Sequence, residues 1–600
     1  MGAAAARAQS TGSKTIADLI GRAAERFGER VAVRHKVAGE WRDVTYAQVG
    51  EIVREIGLGL VDLGLEPGER VCILAGTRPE WSYADFAIAA AGGVVVPIYP
   101  TNSPEECEWV AGNSEAVGIV LEDATQLRKI DAVRERLPRL RFVVAVDGAD
   151  AAGDAIALDA LRERGRTREP AELEARAGAV VPEDPFTFIY TSGTTGPPKG
   201  CVLTHGNYRS VLDMCERLEV LTGEETSYLF LPLAHAFALL IQLLSYDLGG
   251  TIAYFGGDPK LIVAELNEVR PHYLPSVPRI FEKIYTLAVG SQPPEVQEQM
   301  LAAARLGVEV RDRRLRAEDV PPELLERFEQ ADEQLFKNVR AIFGGRLKQA
   351  VSGAAPIAKE ILEFFYGCGV PVLEGYGMTE TATVATYSTV LEHRFGSVGK
   401  LLPGVQGRVA EDGELLLKGT NIFAGYYKND DASFGAVVDG WLHTGDLGSI
   451  DEDGYVFITG RKKDIIITAG GKNLTPANVE NDLKQSRWIS QAVMHGDRRP
   501  YLVMLVTLDE EEILPWADGE GIEAQGIAEL ARHARVRELV QAELDRANAR
   551  YARVEQVKKF VILDHDLSQE TGELTPTLKV KRNVVNERYA RLFDELYAGD

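Results

Sequence analysis

A strand-like run, Phe186–Tyr190 (FTFIY), leads without a break into Thr191-Ser192-Gly193-Thr194-Thr195-Gly196-Pro197-Pro198-Lys199-Gly200. Aromatic and β-branched residues of this kind suit a buried strand. The segment after it is too polar and too rich in glycine to join a core. It offers hydroxyls, N–H groups, no bulk at its glycines and one cation, Lys199, which are the parts needed to cradle a polyphosphate. A Walker A loop, G-x-x-x-x-G-K-[ST], is excluded by spacing. Counted from Gly193, it requires Gly where Pro198 stands and Ser or Thr where Gly200 stands.

A phosphate loop at the end of a strand calls for an α/β scaffold, and the rest of the chain agrees. Apolar runs at Val71–Ala75, Val94–Pro97, Gly118–Leu121 and Phe142–Val146 alternate with helical stretches. That alternation predicts layered α/β subdomains around a largely parallel sheet. Asn207 is placed to cap the next helix, which carries Val211, Cys215 and Leu218. Asp150–Ala179 is charged and poor in aromatics and reads as a surface connection. Glu295–Val339 reads as exposed helices inserted in a large domain.

The chain has 600 residues, too many for one core. A boundary is expected near Gly460–Lys463, a charged turn between the strand-like runs GYVFIT and DIIIT. Beyond it Gly470-Gly471 makes a flexible turn, and Thr475-Pro476 is a good helix start. The expected organisation is a loose tail at 1–13, a large N-terminal domain at 14–460, and a small α+β domain at 461–600 on a hinge.

The formal charge of −24 excludes a general nucleic-acid binder, which needs clustered cations. The five cysteines, Cys72, Cys107, Cys201, Cys215 and Cys368, form no CxxC pair, so neither a zinc site nor a disulfide framework is expected. They read as reduced core thiols of a cytoplasmic protein. The N-terminal MGAAAARAQSTGSK lacks the apolar stretch of a signal peptide, and Ala6 breaks the myristoylation pattern. The most membrane-like run, Leu229–Leu244, is interrupted by Pro232, His235 and Gln242 and is shorter than the ~20 residues a spanning helix needs. A buried helix is expected there. Peripheral membrane contact and a homodimer stay open.

The loop YTSGTTGPPKG closely resembles the signature loop of the acyl-adenylate-forming superfamily of acyl-CoA synthetases, luciferases and nonribosomal adenylation domains. Further motifs of that superfamily follow in order: SGAAP (Ser352–Pro356), GYGMTE (Gly375–Glu380), GELLLKGTNIFAGYYKN (Gly413–Asn429), DGWLHTGD (Asp439–Asp446) and GRKKDIIITAGGKNLTP (Gly460–Pro476). The resemblance runs from about Thr15 to the C-terminus. It implies ATP as co-substrate and Mg²⁺ as cofactor.

The resemblance also assigns roles. Thr191, Ser192, Gly193, Thr194, Thr195, Gly196 and Lys199 hold phosphates. Gly353, Ala354, Tyr376 and Gly377 surround the adenine, with Tyr376 stacked on it. Thr379 contacts the α-phosphate and Glu380 ligates Mg²⁺. Asp446 and Arg461 bind the ribose. Lys463 marks the hinge, and the Gly470-Gly471-Lys472 loop faces CoA in a second pose. His235 takes a minor role near the acyl group and phosphates. An active-site lysine belongs three residues before an arginine, which selects Lys579 before Arg582. The usual Ser-Gly before that lysine is replaced by Thr577-Leu578, and Lys581 is the alternative.

Three segments look like the long-chain subgroup: Ile98–Glu106, Pro271–Tyr285 and Asp497–Asp509. The expected function is therefore a long-chain fatty acid–CoA ligase acting on fatty acid, ATP and CoA. A fatty acyl-AMP ligase or an adenylation enzyme that loads a carrier protein is the rival, although no carrier-like segment is evident. A non-catalytic binding protein is a second rival, opposed by Lys199, Glu380, Asp446 and Lys579.

Overall fold

The computed structural model describes residues 10–148, 151–191, 197–290, 292–469, 472–575 and 578–598. Ser192, Gly193, Thr194, Thr195, Gly196, Gly470, Gly471 and Thr577 lie outside the described residues.

The expected strands form one ladder. β1 (Arg70–Leu74) pairs in parallel with β2 (Val94–Ile98). Helix α1 (Pro104–Asn113) follows, and β3 (Gly118–Leu121) returns to the other side of β1. β4 (Phe142–Ala145) extends the sheet beside β3, again in parallel. Nearly every residue of these strands is buried, as a parallel sheet covered on both faces requires. Helix α1 opens with a capping box between Ser103 and Glu106 and has Pro104 in its first turn.

β5 (Pro185–Thr191) is the FTFIY strand and joins β2 in parallel. The chain returns as β6 (Lys199–Thr204), antiparallel to β5, with Tyr190 opposite Gly200 and Thr191 opposite Lys199. Helix α2 (His205–Arg217) corrects one expectation: Thr204, not Asn207, is the N-cap. Asn207 closes the capping box three residues on, and its amide donates to the carbonyls of Thr420 and Ile422, each at 2.9 Å.

The apolar run at Leu229–Leu244 ends a strand and then forms α3 (Ala236–Leu248), whose residues are almost all buried. Its leucines belong to a core shared with both large sheets. No described helix is long and apolar enough to cross a membrane. The second sheet contains β7 (Tyr273–Ser276), then, after α4 (Pro278–Tyr285), the parallel strands β8 (Gln349–Ser352) and β9 (Val372–Tyr376). Glu295–Val339 is helical as expected and mostly exposed, with Ala304, Val310, Phe328, Phe336 and Val339 turned into a core.

Asp150–Ala179 is not a simple surface connection. It holds the helices Leu158–Arg166 and Pro170–Ala179, with Leu158, Leu161, Leu173 and Ala177 buried. A Cβ added at Gly165 would lie 1.8 Å from the Glu55 carbonyl oxygen, so the first helix meets its neighbour backbone to backbone. The charges occupy the outer face of these helices and mask a narrow apolar stripe in the sequence.

A short strand, β10 (Gly425–Tyr426), closes antiparallel on β6 and sets Tyr426 opposite Cys201. Then β11 (Trp441–Ile450) pairs antiparallel with β12 (Val456–Arg461), with Asp446 opposite Arg461. A single tight turn, Lys462–Asp464, follows. Of the DIIIT run only Ile466–Ile467 pairs as strand.

Helix α5 (Pro476–Lys484) starts after Thr475 as expected, although the Thr475 side chain makes no capping bond. β13 (Ile489–His495) and β14 (Leu502–Leu508) pair antiparallel. The chain passes through α6 (Glu510–Gly519) and adds β15 (Val557–Ile562) in parallel to β14. This C-terminal sheet has its own cores. It meets α4 through Arg279–Asp509 and Lys283–Glu511 ion pairs, the latter at 2.5 Å.

Candidate functional site

The site gathers at strand ends. Lys199 opens β6, and its ammonium stands over the Tyr426 ring, 5.3 Å from the centroid. The Tyr426 hydroxyl donates to Glu380 Oε1 at 2.7 Å. Glu380 sits in the tight turn Thr379–Thr381 that follows β9, and it is buried. Thr191, at the end of β5, approaches the Cys201 thiol at 3.8 Å. Burial, with the Glu380 charge beside it, pushes that thiol far above its ordinary range. All five cysteines are buried and unbonded, as expected of core thiols.

Glu380 is a buried carboxylate that makes no ion pair with a described residue. A buried charge calls for a counter-charge. No group of three or more His, Cys, Asp or Glu ligands occurs among the described residues, so a divalent cation here would draw most of its shell from water and phosphate oxygens. That donor set suits Mg²⁺, which binds through one or two carboxylates plus substrate phosphates.

The second group lies on β9, β11 and β12. Tyr376 donates to Asp446 Oδ2 at 2.7 Å, and Arg461 Nε donates to Asp446 Oδ1 at 2.8 Å. Asp446 is buried, and its backbone N–H is held by Thr444 Oγ1 at 3.0 Å. Burial and the Asp446 charge keep the Tyr376 phenol protonated. Gly377 admits no side chain, because a Cβ there would fall 2.1 Å from the Thr383 carbonyl oxygen. Gly353, just past β8, faces the Gly375 carbonyl, and Ala354 takes a left-handed φ of 68°. The SGAAP and GYGMTE motifs therefore meet where β8 and β9 end.

The third group comes from the C-terminal sheet. Leu574 and Val580 bridge, Thr575 N donates to the Lys579 carbonyl at 2.8 Å, and Lys579 N donates to Thr575 Oγ1 at 3.0 Å. The Lys579 side chain is open to water yet crowded by protein. Desolvation, then the nearby Arg461 charge, lowers its pKa to about 8. Asp446 and Lys463 act on the same ammonium. His235, the N-cap of α3, is pushed down to about 4 by burial and then by Lys579. Lys463 is depressed by desolvation and then by Arg461, and it also feels Asp446 and Glu380. These mutual charge effects put His235, Asp446, Arg461, Lys463 and Lys579 near one another, with Glu380 acting on Lys463.

Lys581, the alternative lysine, follows two residues later. It is the N-cap of the helix Arg582–Arg588, and its N–H donates to the Glu573 carbonyl at 2.7 Å. Arg582 donates to Glu480 Oε2 at 2.7 Å and to the Met494 carbonyl at 2.9 Å, tying the Lys579 hairpin to α5 and β13. Lys472 is exposed beside the short pairing of Ile466–Ile467 with Asn473–Leu474, and its backbone exchanges two hydrogen bonds with Thr468.

Two residues escape sequence reasoning. Tyr426 lies in the GYYKN segment, where nothing local marks one tyrosine over its neighbour. Glu374, just before GYGMTE, has its carboxyl raised to about 8 by burial. A charged residue within the apolar β9 pattern was the available signal for it.

The chain matches the family model of AMP-binding enzymes over residues 20–427 and that of the AMP-binding enzyme C-terminal domain over residues 463–600. It is 39% identical to the long-chain-fatty-acid–CoA ligase FadD15 of Mycobacterium tuberculosis, over 94% of each chain. It is 32% identical to the long-chain-fatty-acid–CoA ligase ACSBG2 of Gallus gallus, covering 98% of this chain and 82% of that one. In fold it resembles the adenylation domain of a carboxylate reductase from Mycobacterium chelonae, with a TM-score of 0.75 at 21% identity over 98% of this chain and 92% of that one.

Proposed function

The chain belongs to the AMP-binding enzymes, and from that premise we propose that it is a long-chain fatty acid–CoA ligase. It joins a fatty acid to CoA at the expense of ATP and passes through an acyl-adenylate. The observation that carries this reading is a pair of held carboxylates at the end of β9: Asp446, bonded by Tyr376 at 2.7 Å and Arg461 at 2.8 Å, and Glu380, bonded by Tyr426 at 2.7 Å with the Lys199 ammonium over the same ring.

The chemistry follows from the charges. A carboxylate resists a thiol because its oxygen is a poor leaving group. In the first step the fatty carboxylate oxygen attacks the α-phosphorus of ATP, and the bond to the β-phosphate bridging oxygen breaks. Pyrophosphate leaves and a mixed anhydride forms. Such transfers are catalysed chiefly by alignment and by stabilising negative charge. Lys199 and Lys579 supply fixed positive charge. Asp446 has two acceptor oxygens for ribose hydroxyls, held in place by Tyr376 and Arg461. Glu380 would hold Mg²⁺, which when bound neutralises phosphate charge. His235 stays neutral and lends no charge of its own. In the second step the CoA thiol attacks the acyl carbon, loses its proton, and AMP departs with the anhydride electrons.

The two steps ask for different groups beside one reacting centre. The arrangement that brings Lys579 into the cleft suits the first. For the second, Lys463 serves as a hinge and the Gly470–Lys472 loop turns toward CoA. Domain rotation of this kind concentrates in a few residues between elements. Cytoplasmic ATP and CoA, with peripheral contact at a lipid surface that supplies the acid, belong to the same proposal.

The test is acyl-CoA formation by purified protein with ATP, Mg²⁺, CoA and fatty acids of increasing length. Thioester formation with long-chain acids is expected. Adenylation of benzoate-like or amino acids with no turnover of any fatty acid would overturn the substrate assignment.

A further inference from the structure

Helix α1 reaches both arms that flank the phosphate loop. Trp109 and Asn113 stand four residues apart and so share a helix face. Trp109 Nε1 donates to the Pro198 carbonyl at 2.9 Å. Asn113 Oδ1 accepts from the Tyr190 hydroxyl at 2.7 Å. Tyr190 is near the end of β5, and Pro198 directly precedes β6. The helix is itself well held, by its capping box and by Cys107, Val110 and Ala111 in the core.

Trp109 does not owe its place to burial, since it is 38% exposed. Its one hydrogen-bonding group goes to a backbone carbonyl next to a phosphate-binding cation. The peptide between Pro198 and Lys199 is planar, so fixing the carbonyl fixes the opposite N–H, which belongs to Lys199. Pro198 has a set φ, which leaves ψ as the torsion the bond restrains. Beyond that peptide, Lys199 stands over Tyr426, and Tyr426 donates to Glu380.

We propose that Trp109, with the Asn113–Tyr190 bond as its counterpart, is a positioning residue for Lys199 and that this clamp sets the affinity for the ATP polyphosphate. The proposal rests on reading the loop as the polyphosphate cradle. It makes a distinction that simple packing does not. The polyphosphate is present only in the first half-reaction, because pyrophosphate leaves before CoA reacts. Loss of the clamp therefore weakens ATP binding and spares the second half-reaction.

The experiment uses the full chain with Trp109→Phe and, separately, Tyr190→Phe. Each keeps a ring and removes one donor. The KM for ATP in pyrophosphate release is expected to rise about fivefold, the factor an ordinary hydrogen bond represents. Conversion of supplied acyl-AMP and CoA to thioester is expected to match the wild type, and it serves as the control for folding. An unchanged KM for ATP in both variants would overturn the clamp. So would an equal loss in both half-reactions, which marks a purely structural role. A wild-type chain that releases no pyrophosphate with any fatty acid would overturn the reading of the cleft, and the clamp with it.

Discussion

Tyr426 donates its hydroxyl proton to Glu380 Oε1 at 2.7 Å while its ring carries the Lys199 ammonium at 5.3 Å. One side chain thus sets the spacing between a phosphate-binding cation and a buried carboxylate. Burial and the Glu380 charge keep the phenol protonated, so it remains a donor.

Tyr426→Phe removes that donor and keeps the ring. A hydrogen bond to a charged acceptor contributes about 1.5–3 kcal/mol. The kcat/KM for pyrophosphate release is expected to fall about tenfold or more, with a higher Mg²⁺ requirement. Steady-state kinetics across a Mg²⁺ titration provide the check. Wild-type values would leave Tyr426 as packing only.

The pH dependence of the first half-reaction follows from Lys579. Its pKa is lowered to about 8, so the ammonium is charged below that pH and loses its charge above it. Pyrophosphate release is expected to decline as pH rises through about 8. His235, held neutral down to about 4, adds no limb near neutrality. In Lys579→Arg the group stays charged, and the alkaline limb should disappear whatever the absolute rate. An unchanged limb in that variant assigns it to another group.

The contact between α4 and α6 is open to charge reversal. Lys283 and Glu511 are half exposed, so their pair contributes on the order of 0.2–1 kcal/mol. Lys283→Glu or Glu511→Lys alone is expected to slow first-turnover pyrophosphate release about threefold at low salt. The doubly reversed protein should recover most of the rate, as a coupled pair does in a double-mutant cycle. Additive losses would show that the two charges do not act together in holding the Lys579 pose.

Leu578 holds a left-handed φ of 59° beside Lys579, and the residue is 57% exposed. The left-handed region costs a branched aliphatic residue roughly 1 kcal/mol. Asn tolerates that region without the unfolded-chain entropy that Gly adds. Leu578→Asn is expected to stabilise the C-terminal part by several tenths of a kcal/mol, since little burial is lost. Chemical denaturation followed by hydrogen exchange in this part is the measurement. Lower stability would mean that Leu578 packs in a way that outweighs its backbone cost.

These residues also show where the sequence was legible. The runs at β1 to β5 were plain because parallel strands buried on both faces read as continuous apolar stretches. The GYGMTE and HTGD segments stood out through their resemblance to family motifs, since a Thr-Glu pair or an Asp beside a glycine alone reads as a helix start or a turn. The exact fit at Gly377, where a Cβ would meet the Thr383 carbonyl at 2.1 Å, gives the GYG pattern its physical reason. Tyr426 was hidden because its role comes from β10 pairing with β6, a long-range event that periodicity does not record. The helices of Asp150–Ala179 were hidden by charge on their outer face. Thr204 displaced Asn207 as a cap because the two act together, and sequence alone does not say which residue stands outside the helix. The departure at Thr577-Leu578 was visible, whereas the left-handed backbone that makes Leu578 costly was not.

The central claim is that the fatty carboxylate attacks the α-phosphorus of ATP. A single turnover with fatty acid labelled with oxygen-18 in both carboxylate oxygens, in the presence of ATP, Mg²⁺ and CoA, tests it directly. An acyl-adenylate path leaves one labelled oxygen in AMP, because thiolysis breaks the acyl–oxygen bond and the bridging oxygen departs with phosphorus. The account predicts one labelled oxygen per AMP, with unlabelled pyrophosphate. Unlabelled AMP, or label appearing in orthophosphate beside ADP, would contradict it.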